Sequence, residues 1–194
     1  MSTSRGRPRD SSLDGAIAAA TESVLLADGY PAVSIDRVAK LAGTTRTAVY
    51  RRVSNRGELV VGLLVHRFGS TPARDTGDLG RDLRAVQVLQ AAFFSDPVIE
   101  AGIAGVLSDI RSNPELGAVF YERFMEPRRR SVAELLERAT ARGEIGPVEV
   151  PARISDLLTG PLLLRAVMPV IGPIDDELID LTVRAALAVI PRGS

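Results

Sequence analysis

The chain has 194 residues, of which 45% are hydrophobic and 25% charged, and its formal net charge is zero. That length accommodates one or two domains with a buried core, and the absence of cysteine excludes disulfides, thiol catalysis and cysteine-ligated zinc. The zero average conceals an uneven distribution: residues 1–56 hold nine Arg or Lys against five Asp or Glu, so a basic head precedes a mildly acidic body. The positive residues at the N-terminus are not followed by an apolar stretch, and no run approaches the ~18 apolar residues of a membrane span. The chain is therefore expected in the cytoplasm, with no membrane partner.

Residues 1–10 open with Arg5-Gly-Arg-Pro-Arg9, in which Gly and Pro cannot share a stable helix with three closely spaced arginines. An extended, solvated arm is expected there. Leu13, Ala16, Ile17, Ala20, Val24 and Leu25 then recur at the three-and-four spacing of one helix face. Ser11 with Asp14 makes a capping-box start, and Gly29-Tyr30-Pro31 ends that helix. Ser34 can cap a short second helix carrying Ile35, Val38, Ala39 and Leu41. Gly43 closes it, and a third runs from Thr44 or Thr45 to about Arg52. Asn55 with Glu58 caps a fourth, lined by Leu59, Leu63, Leu64 and Phe68.

Residues 69–78 are rich in turn formers and charge and read as a loop. Further helices are expected at 79–94 and 97–110. A long one should open at Asn113-Pro114, be kinked by Pro127 and end near 142. Two last segments, 151–168 and 175–190, are apolar over more than one face, which asks for more burial than one small core offers. No strand alternation persists anywhere. The fold class is all-α, with about nine helices.

The stretch "SIDRVAKLAGTTRTAVYRRVSNRGEL", Ser34 to Leu59, has the restricted corner chemistry of a helix-turn-helix. Ala39 is small where two helices must approach, Gly43 sits where a positive φ is expected, and Val49 fills the space beneath the second helix. The outward face of that helix carries Thr44, Thr45, Arg46, Thr47, Tyr50, Arg51 and Arg52, all hydrogen-bond donors, and positions 37–57 contain no acid. An ordinary helical hairpin with a polar wet side would mix its charges, so the pattern points to DNA.

This segment resembles the DNA-binding domain of the TetR family of bacterial transcriptional repressors, whose pattern of Ala, Gly, Tyr and a basic helix start is met by Ala39, Gly43, Tyr50 and "NRGEL" (55–59). It departs in having Val53 where the family usually has Phe, and Arg56 where it usually has Lys. The resemblance implies that Thr45, Tyr50 and Arg56 contact phosphates while Arg46 and Thr47 face base edges, Arg51 and Arg52 doing either. It also lends the arm a geometry: from Arg5 to the first helix an extended chain spans roughly 20 Å, so Arg5, Arg7 and Arg9 could reach an adjacent minor groove.

The resemblance further implies a domain division into an arm (1–10), a three-helix DNA-binding head (11–55) and a helical effector-binding and dimerisation body (56–194). The last two helices would pair with those of a second copy, Leu157, Leu158, Leu162, Leu178, Leu181 and Ala185 being the candidates. Such a homodimer would present two recognition helices to a near-palindromic double-stranded DNA operator. A small-molecule effector would sit in the body, with His66, Phe93, Phe94, Leu107, Phe120, Tyr121, Phe124, Met125 and Met168 as candidate lining; core packing is the competing reading of each. No catalytic or metal-ligating constellation and no cofactor motif is present, so the expectation is a DNA-binding regulator and not an enzyme. The alternatives are a DNA-binding dimeric regulator without an effector and, from a different class, an all-helical scaffold or enzyme.

Overall fold

A computed structural model describes residues 11–69 and 73–193, the side chain of Ser11 excepted. Nine helices run in order among the described residues: α1 (Ser11–Asp28), α2 (Ile35–Leu41), α3 (Arg46–Tyr50), α4 (Arg56–Phe68), α5 (Leu79–Phe94), α6 (Pro97–Ser112), α7, α8 (Pro151–Val167) and α9 (Asp176–Val189). The long α7 comprises Pro114–Phe120, a π-helical turn Tyr121–Met125 and Glu126–Ala141 without a break. Among the described residues there is no strand, only one antiparallel bridge between Ile145 and Arg192. No single helix there is long and apolar enough to cross a membrane.

The caps explain why the chain breaks where it does. Ser34, Thr45, Asn55, Asp78, Asp96, Asn113 and Asp175 each accept a hydrogen bond from a backbone N–H of the first turn they precede, satisfying donors that a helix start leaves orphaned. Glu58 reaches back to the Ser54 N–H at 3.1 Å, one residue earlier than an ideal capping box. The irregularity expected at Pro127 lies just ahead of it: the Glu126 N–H bonds to the Tyr121 carbonyl, five residues back. Pro127 has no N–H to continue the α-helical ladder, and the wider turn re-routes the bonds at that point.

Two apolar cores result. The larger joins the head to the body: Val24 and Leu25 of α1, Val38, Val49, Leu59, Val60, Leu63 and Leu64 pack with Val98, Ile99, Ile103 and Val106 of α6. The smaller lies among α5, α7, α8 and α9, with Leu83, Leu135, Leu136, Leu158 and Ala186 fully buried. Buried Gln87 pins α5 to both late helices, its amide donating to the Leu158 carbonyl at 3.0 Å and to Thr182 Oγ1 at 2.5 Å.

Glycine sets the approach of α6 to the head. A Cβ on Gly102 would stand 3.2 Å from Leu25, and one on Gly105 only 2.2 Å from the Tyr30 ring. The buried Tyr30 therefore lies flat on α6, and its hydroxyl donates to Asp109 Oδ2 at 2.8 Å. Arg56, at the start of α4, donates to the same carboxylate through Nε at 2.9 Å and Nη2 at 3.1 Å, with its guanidinium 5.0 Å from the Tyr30 ring centroid. At the other end of α4, Arg67 pairs with both Asp96, the N-cap of α6, and Glu22 of α1. The helix is thus clamped to α6 at both ends.

Gly105→Ala should force the Tyr30 ring aside and cost about 1–3 kcal/mol, as overpacked cores do. Gly62→Ala, on α4 with nothing within 4 Å of the added Cβ, should be neutral or stabilising by up to about 1 kcal/mol. Denaturant unfolding of the two variants checks the contrast.

The Tyr30–Asp109–Arg56 cluster, which latches the start of α4 to α6, also has a pH signature. Hydrogen bonds from Arg56, then Tyr30, hold the Asp109 carboxyl below its usual range despite some burial, while burial and then the Asp109 contact push the Tyr30 phenol up. A depressed carboxyl contributes stability above its unfolded pKa and loses it as pH falls through the folded one. A raised phenol contributes below its unfolded pKa and loses that as pH rises through the folded one. Latch stabilisation should therefore be complete between about pH 4 and about pH 10 and decline outside that window. In Asp109→Asn the acid-side component of the urea-midpoint profile should be diminished.

Candidate nucleic-acid interface

The corner between α2 and α3 is built as its small residues require. Ala39 and Val49 are fully buried, Gly43 takes a φ of 64°, and the Thr44 N–H folds back to the Ala39 carbonyl at 3.0 Å. Val53 is buried beneath α3, so the smaller residue at that position is still part of the head core.

The helix that follows presents a polar face. Thr45, Arg46, Thr47, Tyr50 and Arg51 are all exposed, Tyr50 by 52%, whereas Thr44 is half-buried. The Thr45 hydroxyl accepts from the Ala48 N–H at 3.2 Å and keeps its own proton for a further acceptor. Beside Tyr50, an open groove of about 340 Å³ is lined by Ser34, Asp36, Ser54, Asn55 and Arg56. The starts of α2 and α4 border this groove, so their backbone N–H dipoles favour anions on that side of the head.

The electrostatics differ from the sequence expectation in three places. Arg46 pairs with Asp36, one residue outside the acid-free window. Both side chains are about 60% exposed, and such a pair contributes about 1 kcal/mol or less, so a phosphate or guanine can displace it. Arg52 is only 22% exposed; its Nε donates to Asp14 of α1 at 2.6 Å and its Nη1 to the Ala48 carbonyl at 3.2 Å. It ties the end of α3 to α1 and is not on the free face, because its guanidinium is turned toward Asp14 and the Ala48 carbonyl. Arg56 lines the groove, but its Nε and Nη2 are engaged by Asp109, leaving Nη1 as its open edge. Two of these carboxylate partners are not legible locally: Asp14 and Asp109 lie 38 and 53 residues from their arginines. Arg5, Arg7 and Arg9 lie outside the described residues.

The candidate effector residues divide. Phe68, Phe93, Phe94, Phe120 and Phe124 form one aromatic cluster, with centroid separations of 4.9 to 5.4 Å. Phe94, Phe120 and Phe124 are buried in the main core, and Phe93, Leu107 and Met125 are half-buried against it. His66 does not belong: it is exposed in the last turn of α4, past Leu64 where full burial ends, and its Cε1 is 3.9 Å from where a Cβ on Gly15 of α1 would be. Tyr121 is 47% exposed on the π turn, pointing out while Phe120 and Phe124 point in, and Met168 is 47% exposed at the end of α8.

The candidate dimer residues also divide by helical phase. Leu157, Leu181 and Ala185 are exposed, whereas Leu158, Leu162 and Leu178 are buried within the chain and unavailable to a partner. Each helix has two apolar stripes, and the inner one completes the core on α5. The outer stripe continues through Gly160 and Leu164 of α8 and through Ala188 and Val189 of α9, all exposed and none among the candidate dimer residues.

Among the described residues no group of three or more His, Cys, Asp or Glu could hold a metal ion. What the geometry assembles is a polar, basic helix face on a corner that is clamped to a helical body.

Two family models match the chain in succession: "Bacterial regulatory proteins, tetR family" over residues 17–63 and "Tetracyclin repressor-like, C-terminal domain" over residues 73–186. A DNA-binding transcriptional repressor TetR of Mycobacteroides abscessus is 30% identical, covering 95% of this chain and 96% of its own length. The HTH-type transcriptional regulator YdeS of Bacillus subtilis is also 30% identical, over 85% of this chain and 83% of its own. Among solved structures, the TetR family transcription regulator SCO0332 superposes with a TM-score of 0.73 at 22% identity, covering 92% of this chain and 99% of that one. A helix-turn-helix head carrying an exposed Arg46-Thr47-Tyr50-Arg51 face and an all-helical body, matched in that order by both family models, place the chain in the TetR family of transcriptional regulators.

Proposed function

We propose that the protein is a homodimeric repressor that binds a near-palindromic operator and is released from it by a small-molecule effector. In this reading residues 1–10 form a minor-groove arm, 11–55 the DNA head and 56–194 the effector and dimer body. The observation that carries it is the exposed row Arg46, Thr47, Tyr50 and Arg51 at the second helix of a helix-turn-helix. Arg can fork onto the O6 and N7 of guanine, a Thr hydroxyl suits either base edge, and Tyr and Thr hydroxyls suit phosphate. The repressor role follows the 30%-identical repressor of Mycobacteroides abscessus.

Dimerisation is supported by the outer stripes of α8 and α9. Leu157, Leu164, Leu181 and Val189 are 40 to 59% exposed at helical spacing, and together with Gly160 and Ala185 they make a contiguous apolar seam of the kind that marks an interface. Two such helices against their symmetry mates would close as an isologous pair. Release by an effector needs a ligand that binds one head arrangement better than the other, and the size of the response is bounded by that difference.

The double variant Arg46→Ala with Tyr50→Ala should bind DNA upstream of its own gene at least tenfold more weakly, with its salt dependence reduced. Its light-scattering mass should remain that of two 20.7 kDa chains. Unchanged binding would remove α3 from the interface.

The effector half of the reading has its own check. Thermal shifts across a broad panel of metabolites and drugs should find compounds that both stabilise the protein by mass action and free it from that DNA. A panel that stabilises nothing would leave a dimeric regulator without a small-molecule switch.

A further inference from the structure

Arg128 is a cation whose surroundings do not match its charge. It follows Pro127 on α7, and its guanidinium lies 3.6 Å from the centroid of the Phe124 ring and 5.7 Å from that of Phe93. Nη1 donates to the Phe124 carbonyl at 2.8 Å, and Nη2 donates to the carbonyl of Gly69, the C-cap of α4. Both acceptors are neutral. Arg56, Arg67, Arg84 and Arg142 are all held up by carboxylate partners. Burial brings Arg128 down to about 10 with no partner offsetting it among the described residues.

An arginine has five N–H donors. The Nε–H and one N–H on each terminal nitrogen of Arg128 have no protein acceptor among the described residues. The side chain is half-buried and not sealed in the core. Against it stand the rings of Phe93 and Phe124, continuous with Phe68, Phe94 and Phe120. The π-helical turn that carries Phe124 is a feature frequent at functional sites. A desolvated cation without a counter-ion is costly, and the attraction of an anion there is stronger than at the surface.

We propose that Arg128 anchors an anionic effector: a small molecule with one carboxylate, forked onto the guanidinium, and an aromatic or aliphatic body laid against the half-buried Phe68 and Phe93 at the edge of the phenylalanine cluster. The proposal rests on the ligand-released reading and names the class of ligand. It also links occupancy to the head. The guanidinium that a carboxylate would engage now holds the carbonyl of Gly69, the residue that caps α4, and a carboxylate accepts more strongly than a peptide carbonyl. Binding would thus loosen the C-terminal end of the helix whose first residue, Arg56, borders the DNA face.

The test uses the full-length protein and two matched pairs of probes, 2-naphthoate with 2-naphthamide and decanoate with decanamide, read by thermal shift and titration calorimetry. The carboxylates should bind at least tenfold more tightly than their amides. Arg128→Gln should abolish that preference while keeping the helical circular dichroism of the wild type, and Arg128→Lys, which keeps the charge but not the fork, should retain part of it. Amides that bind as tightly as the acids, acids that bind Arg128→Gln as tightly as wild type, or no binding by any of the four probes would each overturn the anchor. Neutral compounds that free the protein from DNA would do so as well, yet leave the ligand-released reading standing.

Discussion

The attachment of α4 to α6 is the constraint on which the rest of the arrangement depends. Arg56 grips Asp109 near the end of α6, Arg67 grips Asp96 at its start, and between them Leu59, Val60, Leu63 and Leu64 are buried. The ion pairs are partly exposed and add little energy singly; the apolar seam supplies the adhesion. What the pairs add is register, because a bidentate arginine accepts only one geometry. Gly102 and Gly105 let α6 come close enough to touch Leu25 and Tyr30. The direction in which the DNA head faces is therefore set in part by its contacts with a body helix.

The same contacts change how the basic head is to be understood. Its excess of positive residues is partly consumed internally: Arg37 by Asp28, Arg46 by Asp36, Arg52 by Asp14 and Arg56 by Asp109. These pairs are not equivalent. The Arg46 pair is open to water and exchangeable, and the Arg52 pair is half-buried and part of the fold. Arg56 sits between the two, with the Asp109 carboxylate and the Tyr30 ring fixing its plane and one edge facing the groove beside Tyr50. Charge counted along the sequence therefore overstates the charge offered to DNA.

The elements themselves were legible because their determinants are local. A cap residue, a following apolar period and a closing Gly or Pro fall within one window, and each predicted helix is found within a few residues of its expected ends. The inner and outer stripes of α8 and α9 were legible as excess apolar character but not as two faces. Leu157 and Leu158 are adjacent in sequence and identical in type, and only packing on α5 decides which is core. His66 follows Leu59 and Leu63 in helical phase, yet where burial along α4 ends is a tertiary fact. The latch and the uncompensated Arg128 depend on pairings across 53 and 59 residues, for which a single sequence carries no local signal.

Selection of bound sequences from random duplex DNA tests the central claim, a two-fold regulator reading DNA through α3, most directly. The enriched site should have dyad symmetry, with half-sites about one helical turn or a little more apart and two protomers bound per site. Enrichment of no sequence, or of a site without a dyad, would contradict it.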